Sequence, residues 1–328
     1  MHATPRLTIV APAYNEAAGL AAFHHRLCKV LDELAADSRV LYVDDGSRDG
    51  TWNVIESLAA TDARVEALRL SRNFGKEAAM TAGLDQCDAD AVVVIDTDLQ
   101  DPPELIPELL AQWHDGYDVV YATRDARDGE SRFKRFTAAA FYRTMERLSD
   151  TPIPRDTGDF RLLSRRAVEA LRELRESQRF MKGLFAWIGY RQRAVHYHRD
   201  ARTHGRSKWG YWRLWNLAMD GITSFSAAPL KLATWLGLGS ACLAFVYGVY
   251  VFVKALIWGD PVHGYPSLML VILLLGGIQL LALGVIGEYL GRLYAEAKQR
   301  PLYFIEKRHP GTPPDTVSAD SPSTRRTR

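Results

Sequence analysis

Cysteine is scarce, with only Cys28, Cys87 and Cys242 in 328 residues. The three show neither metal-ligand nor disulfide spacing, which fits a reducing compartment. A signal peptide is also missing: the apolar run Leu7 to Ala13 is short and broken by Pro12, so the globular part is expected to stay in the cytoplasm. Neither Gly-x-Gly-x-x-Gly nor a phosphate-loop Gly-Lys-Ser/Thr pattern occurs, which disfavours a Rossmann dehydrogenase or a P-loop enzyme. The net charge is only +2, which argues against a nucleic-acid partner. The most informative absence is local. Charge is spread through the first 230 positions and then nearly vanishes from Leu232 to Gly287, where only Lys254 and Asp260 are charged.

What is present is organised around AVVVIDTDLQDPPE, Ala91 to Glu104. Val92 to Ile95 reads as a strand buried on both faces of a parallel sheet, and it stops at carboxylates and prolines. Alternate residues of an extended segment share a face, so Asp96, Asp98 and Gln100 point the same way if strand geometry persists past Ile95. Such an oxygen cluster suits Mg²⁺ or Mn²⁺ bound together with a nucleotide's phosphates. Asp-x-Asp also arises by chance, as at Asp88 to Asp90, which precedes the strand and reads as a polar turn. Only the Asp96 pair lies at a strand's carboxyl end, where open α/β sheets bind ligands.

Residues 7 to 122 alternate short apolar runs with helical patterns, the mark of βα units and a mostly parallel sheet. Strands are expected at Leu7–Ala11, Val40–Val43, Val65–Leu70, Val92–Ile95 and Asp118–Ala122. Helices are expected at Ala17–Ala35, Thr51–Ala60, Lys76–Gln86 and Pro103–Trp113. Polar groups follow the first three strands: Pro12-Ala-Tyr14-Asn-Glu16, Asp44-Asp45-Gly-Ser47 and Ser71-Arg72-Asn73-Phe-Gly75-Lys76. Each alone reads as a turn or a helix cap.

Together with Asp96-Thr-Asp-Leu-Gln-Asp-Pro-Pro103, these motifs resemble the GT-A glycosyltransferases of family 2. The extended Asp-x-Asp-Leu-Gln-x-Pro-Pro form resembles the polyprenyl-phosphate branch, the relatives of dolichol-phosphate mannose synthase and the bactoprenol glucosyltransferases. The resemblance implies a nucleotide-sugar donor held by Pro12, Tyr14, Glu16, Asp44, Asp45, Asn73, Lys76 and Asp96, and a divalent cation held by Asp96, Asp98 and Gln100. By the same resemblance Arg124 and one of Arg132 or Arg135 hold the acceptor phosphate, whose oxygens match arginine's fork. Asp159, in Asp156-Thr-Gly-Asp-Phe-Arg161, matches an aspartate facing sugar and acceptor and joins Asp98 as a catalytic candidate. It is also readable as a loop carboxylate capping a helix at Arg165–Leu174. Arg202 and Lys208, in Arg-Thr-His-Gly-Arg-Ser-Lys, match ligands of the donor diphosphate.

Between Arg132 and Leu148, apolar residues at helical spacing are interleaved with cations, which reads as a membrane-surface helix. Aromatics beside Arg213 make residues 209 to 228 an interface helix. The uncharged runs Leu232–Val253, 22 residues, and Pro261–Gly287, 27 residues, are each long enough to cross a bilayer and form a hairpin, with helices at about 232–256 and 265–287. Cations flank both outer ends, which should therefore be cytoplasmic, although Lys254 counts against this. Residues 292 to 308 read as a juxtamembrane segment, and the tail from 309 as disordered.

The expectation is a GT-A domain over residues 1–208 on a two-helix membrane anchor. It would move a hexose, with inversion, from UDP-glucose to a polyprenyl phosphate such as undecaprenyl phosphate, at the cytoplasmic face of a bacterial inner membrane. GDP-mannose or UDP-formamido-arabinose are alternative donors, and a non-catalytic membrane scaffold is the rival of another class. Membrane lipids are partners, nucleic acid is not, and related enzymes with such a hairpin can associate through it into homo-oligomers.

Overall fold

The computed structural model describes residues 4–124, 157–177, 179–197, 228–258 and 264–310. Eight strands form one sheet: β1 Arg6–Ala13, β2 Asp37–Asp44, β3 Val65–Leu70, β4 Ala91–Val94, β5 Val119–Arg124, β6 Thr157–Ser164, β7 Gln192–Tyr197 and β8 Ile305–His309. Their order is β7-β5-β6-β4-β1-β2-β3-β8. Strands β4, β1, β2 and β3 are mutually parallel, as are β5 and β7. Only β6, wedged between β4 and β5, and β8, on the outer edge of β3, run against their neighbours.

Alternation along the strands builds a core on each face of the sheet. Ile9, Tyr42 and Val93 face one layer, where α1 (Leu20–Glu33), α2 (Thr51–Thr61) and α4 (Ile106–His114) bury Phe23, Leu27, Ile55 and Leu109. Val10, Val43 and Val94 face the other, covered by α3 (Lys76–Gln86), α5 (Arg165–Glu173) and α6 (Met181–Trp187). Strand β4 is apolar throughout because both its faces are covered. Helix α3 approaches very closely: a Cβ on Gly83 would lie 2.3 Å from Val10 Cγ1.

The last two helices, α7 (Ala228–Trp258) and α8 (Tyr265–Ala297), pack on each other and leave large apolar side chains such as Trp235, Phe245 and Leu280 exposed. Each holds a stretch long and apolar enough to cross a membrane, Ala233–Tyr250 and Leu274–Ala297.

Two elements depart from the sequence reading. The Asp159 motif lies on strand β6 rather than in a loop, and Ser164, whose Oγ accepts a bond from Ala167 N, caps α5 instead. The segment read as juxtamembrane carries α8 on to Ala297 and then supplies β8, because β3 offers an open edge for pairing. The interface helices expected at 132–148 and 209–228 lie outside the described residues except for Ala228, which opens α7; of the tail expected to be disordered from 309, His309 instead ends β8, and the residues beyond 310 lie outside the described residues.

Candidate active site

Strands β2 and β3 lie to one side of β1 and β4 to the other, so the chain reverses direction between β1 and β4. Ligands of open α/β sheets collect at the carboxyl ends of such a switch point. A cleft of about 250 Å³ opens there. Pro12, Tyr14 and Glu16 line it from the end of β1, Asp96 and Asp98 from the end of β4, Asp45 and Asn73 from the loops after β2 and β3, and Lys76 from the start of α3. These are eight of the residues expected from sequence.

Local folding explains the cluster. Asn15 takes a left-handed φ of 56°, which turns the chain back so that its N–H donates to Ser47 Oγ and its side-chain oxygen accepts from Arg48 N. Glu16 N donates to Thr51 Oγ1, pinning this loop to the start of α2. Asp45 accepts from Phe74 N at 2.7 Å and Gly75 N at 2.9 Å, so it holds the loop before α3 as well as facing the cleft. Beside it Gly46, with φ 64°, packs so near Arg72 that a Cβ would lie 2.4 Å from its carbonyl carbon.

Asp44 does not line the cleft. It is fully buried, accepts from Ser47 N at 3.0 Å and faces Arg69 Nε at 3.4 Å. It braces the turn instead. Gln100 is also absent from the lining, because strand geometry stops at Val94 and Leu99 adopts a φ of 59°. The extended alternation past Ile95 is thereby broken, and Gln100 N instead donates to Asp98 Oδ1 at 3.0 Å.

The centre of the site is a cation between two carboxylates. Lys76 Nζ donates to Asp96 at 2.7 Å and to Asp159 Oδ2 at 2.5 Å. Burial works against the lysine's charge, but the two carboxylates outweigh it and raise its pKa. Burial pushes Asp96 up to about 6 despite Lys76, and Asp159 adds to that rise. Asp159 stays below the ordinary carboxylate range: Lys76 and Lys182 overcome its desolvation. Its other oxygen, Oδ1, is buried with no hydrogen-bond partner among the described residues. Glu16 is raised by burial and by Asp98, Asp49 and Asp96. Among the described residues that line the cleft, the carboxylates of Glu16, Asp45, Asp96 and Asp98 outnumber the one cation, Lys76, and their oxygen-only donor set fits a hard divalent cation.

Sequence reading missed three groups around this centre. Glu77, pushed up to about 7 by burial and Asp159, accepts from Met181 N. Lys182 opens α6 beside Asp159, its pKa lowered chiefly by burial. Arg161 is buried under the Phe185 ring at 3.7 Å and donates to Gly158 O. Its place two residues after Asp159, with Leu162 and Leu163 following, is the signal that could have marked it, since an arginine beside an apolar run requires a partner when buried. Arg124 ends β5, while Arg132, Arg135, Arg202 and Lys208 lie outside the described residues.

Comparison with known proteins agrees with the fold. The family model "Glycosyl transferase family 2" matches residues 8–172, and "GtrB C-terminal hairpin" matches residues 228–293. The chain is 50% identical to an uncharacterized glycosyltransferase of Synechocystis over 92% of its length and 95% of the relative's. It is 44% identical to the SfII prophage-derived bactoprenol glucosyl transferase of Shigella flexneri, over 94% of this chain and all of that one. An uncharacterized glycosyltransferase of Bacillus subtilis shares 45% identity over 92% of this chain and 93% of its own length. The chain is therefore a membrane-associated enzyme of glycosyltransferase family 2, with the GT-A fold and a GtrB-type carboxyl-terminal hairpin.

Proposed function

We propose that this enzyme transfers glucose from UDP-glucose to a polyprenyl phosphate, undecaprenyl phosphate in a bacterial inner membrane, from the cytoplasmic side. The observation that carries the reading is the acidic cleft with its Lys76 bridge, in a chain 44% identical over 94% of its length to a bactoprenol glucosyl transferase.

The chemistry is an inverting displacement. An oxygen of the acceptor phosphate attacks the sugar's anomeric carbon from the face opposite the leaving group, and the bond from that carbon to the diphosphate oxygen breaks with UDP taking the electron pair. A phosphate monoester is already largely anionic near neutral pH, so the step needs little general-base help. Asp159, ionised and paired to Lys76, lies behind the cleft lining and positions that lysine at the cleft. Lys76 sits where diphosphate charge would gather, and Tyr14 and Glu16 wall the entry. Asp96 and Asp98 would hold Mg²⁺ or Mn²⁺, which supplies a counter-charge for the departing diphosphate. Arg124, with Arg132 or Arg135, is assigned to the acceptor phosphate, and Arg202 and Lys208 to the donor diphosphate.

The test uses membranes containing the full chain, radiolabelled UDP-glucose, Mg²⁺ or Mn²⁺, and extraction of lipid into chloroform. Label should enter lipid from UDP-glucose with the parent protein and not with Asp98→Asn. Label entering lipid from GDP-mannose or UDP-formamido-arabinose instead would change the donor. No label from any of the three would favour a scaffold.

A further inference from the structure

One side-chain cluster away from the cleft has no part in the chemistry above. His24 and Cys28 are one turn apart on α1, and Asp62 caps the end of α2. Cys28 Sγ lies 3.4 Å from His24 Nε2 and 3.4 Å from Asp62 Oδ2, and the Nε2 to Oδ2 distance is 3.6 Å. Bonds of about 2.3 Å to sulfur and about 2.0–2.2 Å to nitrogen and oxygen, at tetrahedral angles, place neighbouring donor atoms about 3.3–3.6 Å apart. The triangle has the dimensions of one face of such a tetrahedron.

Its surroundings are those of a supported site. Tyr42 OH, fully buried, lies 3.0 Å from His24 Nδ1, the kind of outer bond that holds a ligating ring, and Cys28 Sγ lies 3.9 Å from that same nitrogen. Arg64 orients Asp62 through bonds to both carboxylate oxygens, and Asp32, 2.7 Å from Arg64 Nη1, offsets the arginine's charge. The side chains of His24 and Asp62 keep 10% and 15% of their surface, which leaves a path for an ion and for water as the fourth ligand.

We propose that His24, Cys28 and Asp62 bind one zinc-class divalent ion, independent of the cation in the cleft. A thiolate, an imidazole and a carboxylate select such an ion over Mg²⁺ or Mn²⁺, whereas the all-oxygen cleft has the opposite preference. The Cys28 thiol gives up its proton to solvent as the sulfur–metal bond forms. The ion ties the middle of α1 to the end of α2. Glu16, which lines the cleft, is held to the start of α2 by Thr51, whose hydroxyl accepts from Glu16 N, and α1 follows the same loop. Its role is to stiffen the frame behind that loop.

The full chain, in detergent and stripped with chelator, is titrated with Co²⁺ and then Zn²⁺. One equivalent of Co²⁺ should give thiolate-to-cobalt charge-transfer absorption that Zn²⁺ abolishes, and one equivalent of Zn²⁺ should raise Tm. Both effects should survive in Asp98→Asn and be lost in Cys28→Ser and in His24→Gln, with the far-ultraviolet circular dichroism of both variants unchanged. No such absorption in the parent protein, its persistence in Cys28→Ser, or its loss in Asp98→Asn overturns the proposal.

Discussion

Lys76 joins two carboxylates that arrive from different parts of the chain, Asp96 at the end of β4 and Asp159 on β6. Replacing it with methionine leaves those carboxylates facing each other without a cation and removes a charge from the diphosphate's side of the cleft. Lys76→Met is expected to lower kcat/KM for transfer to lipid by about a hundredfold, read from the same extraction assay. Its neighbour Glu77 shows how the site costs stability. The folded state holds this carboxyl at about 7 against an ordinary 4.5, so the unfolded chain ionises first as pH rises. Stability is therefore lost between those two values, and the full penalty stands above pH 7. Glu77→Gln never ionises and should be more stable than the parent by about 3 kcal/mol at pH 8, with the gain vanishing below pH 4.5, as followed by thermal unfolding. The acidic pair at 96 and 98 was legible because an apolar strand ends on it. The ion pair to Asp159 was not, since 83 residues separate Lys76 from its partner. Asp44 and Gln100 look the same in sequence as residues that reach the cleft; only the turn geometry after each strand separates them.

At the scale of elements, regular βα alternation made β1 to β5 and α1 to α4 readable, and β3 and α3 have the bounds expected. Strand β6 was hidden because its motif carries glycine and charge, which resemble a loop until the antiparallel gap between β4 and β5 is seen. Gly83 carried no signal at all, yet it sets how closely α3 lies on β1 and so where Lys76 begins. Gly83→Val should cost about 1–3 kcal/mol in chemical denaturation, because Val10 cannot withdraw within a packed sheet. Strand β8 is likewise silent, with one apolar residue in five. Its approach is specific nonetheless: Ser71 N donates to Phe304 O, the Phe304 ring lies 6.3 Å from Phe74, and Tyr303 OH donates to Asp85. Phe304 thus backs the loop that supplies Asn73 and Lys76. Phe304→Ala is expected to raise KM for UDP-glucose about threefold to tenfold with kcat nearly unchanged, a split that steady-state kinetics reads directly.

For the whole molecule, the division into a sheet domain and an apolar pair of helices was plain from where charge disappears. The exposed Trp235, Phe245 and Leu280 give those helices no soluble resting place. Removing residues 228–300, with the flanks rejoined by a flexible linker, should leave a protein recovered without detergent that still binds UDP-glucose but transfers at most about a hundredth as much sugar to membrane-embedded acceptor, since the lipid head is no longer held near the cleft. Retained transfer to lipid would show that diffusion alone is enough.

The return of the chain to β3 after α8 has a mechanical meaning. A globule hung by one strand of polypeptide can twirl freely, whereas here the chain that leaves α8 at Ala297 is sewn back into the sheet at Ile305, so the second helix of the hairpin is strapped to the edge of the catalytic sheet by a link of seven residues.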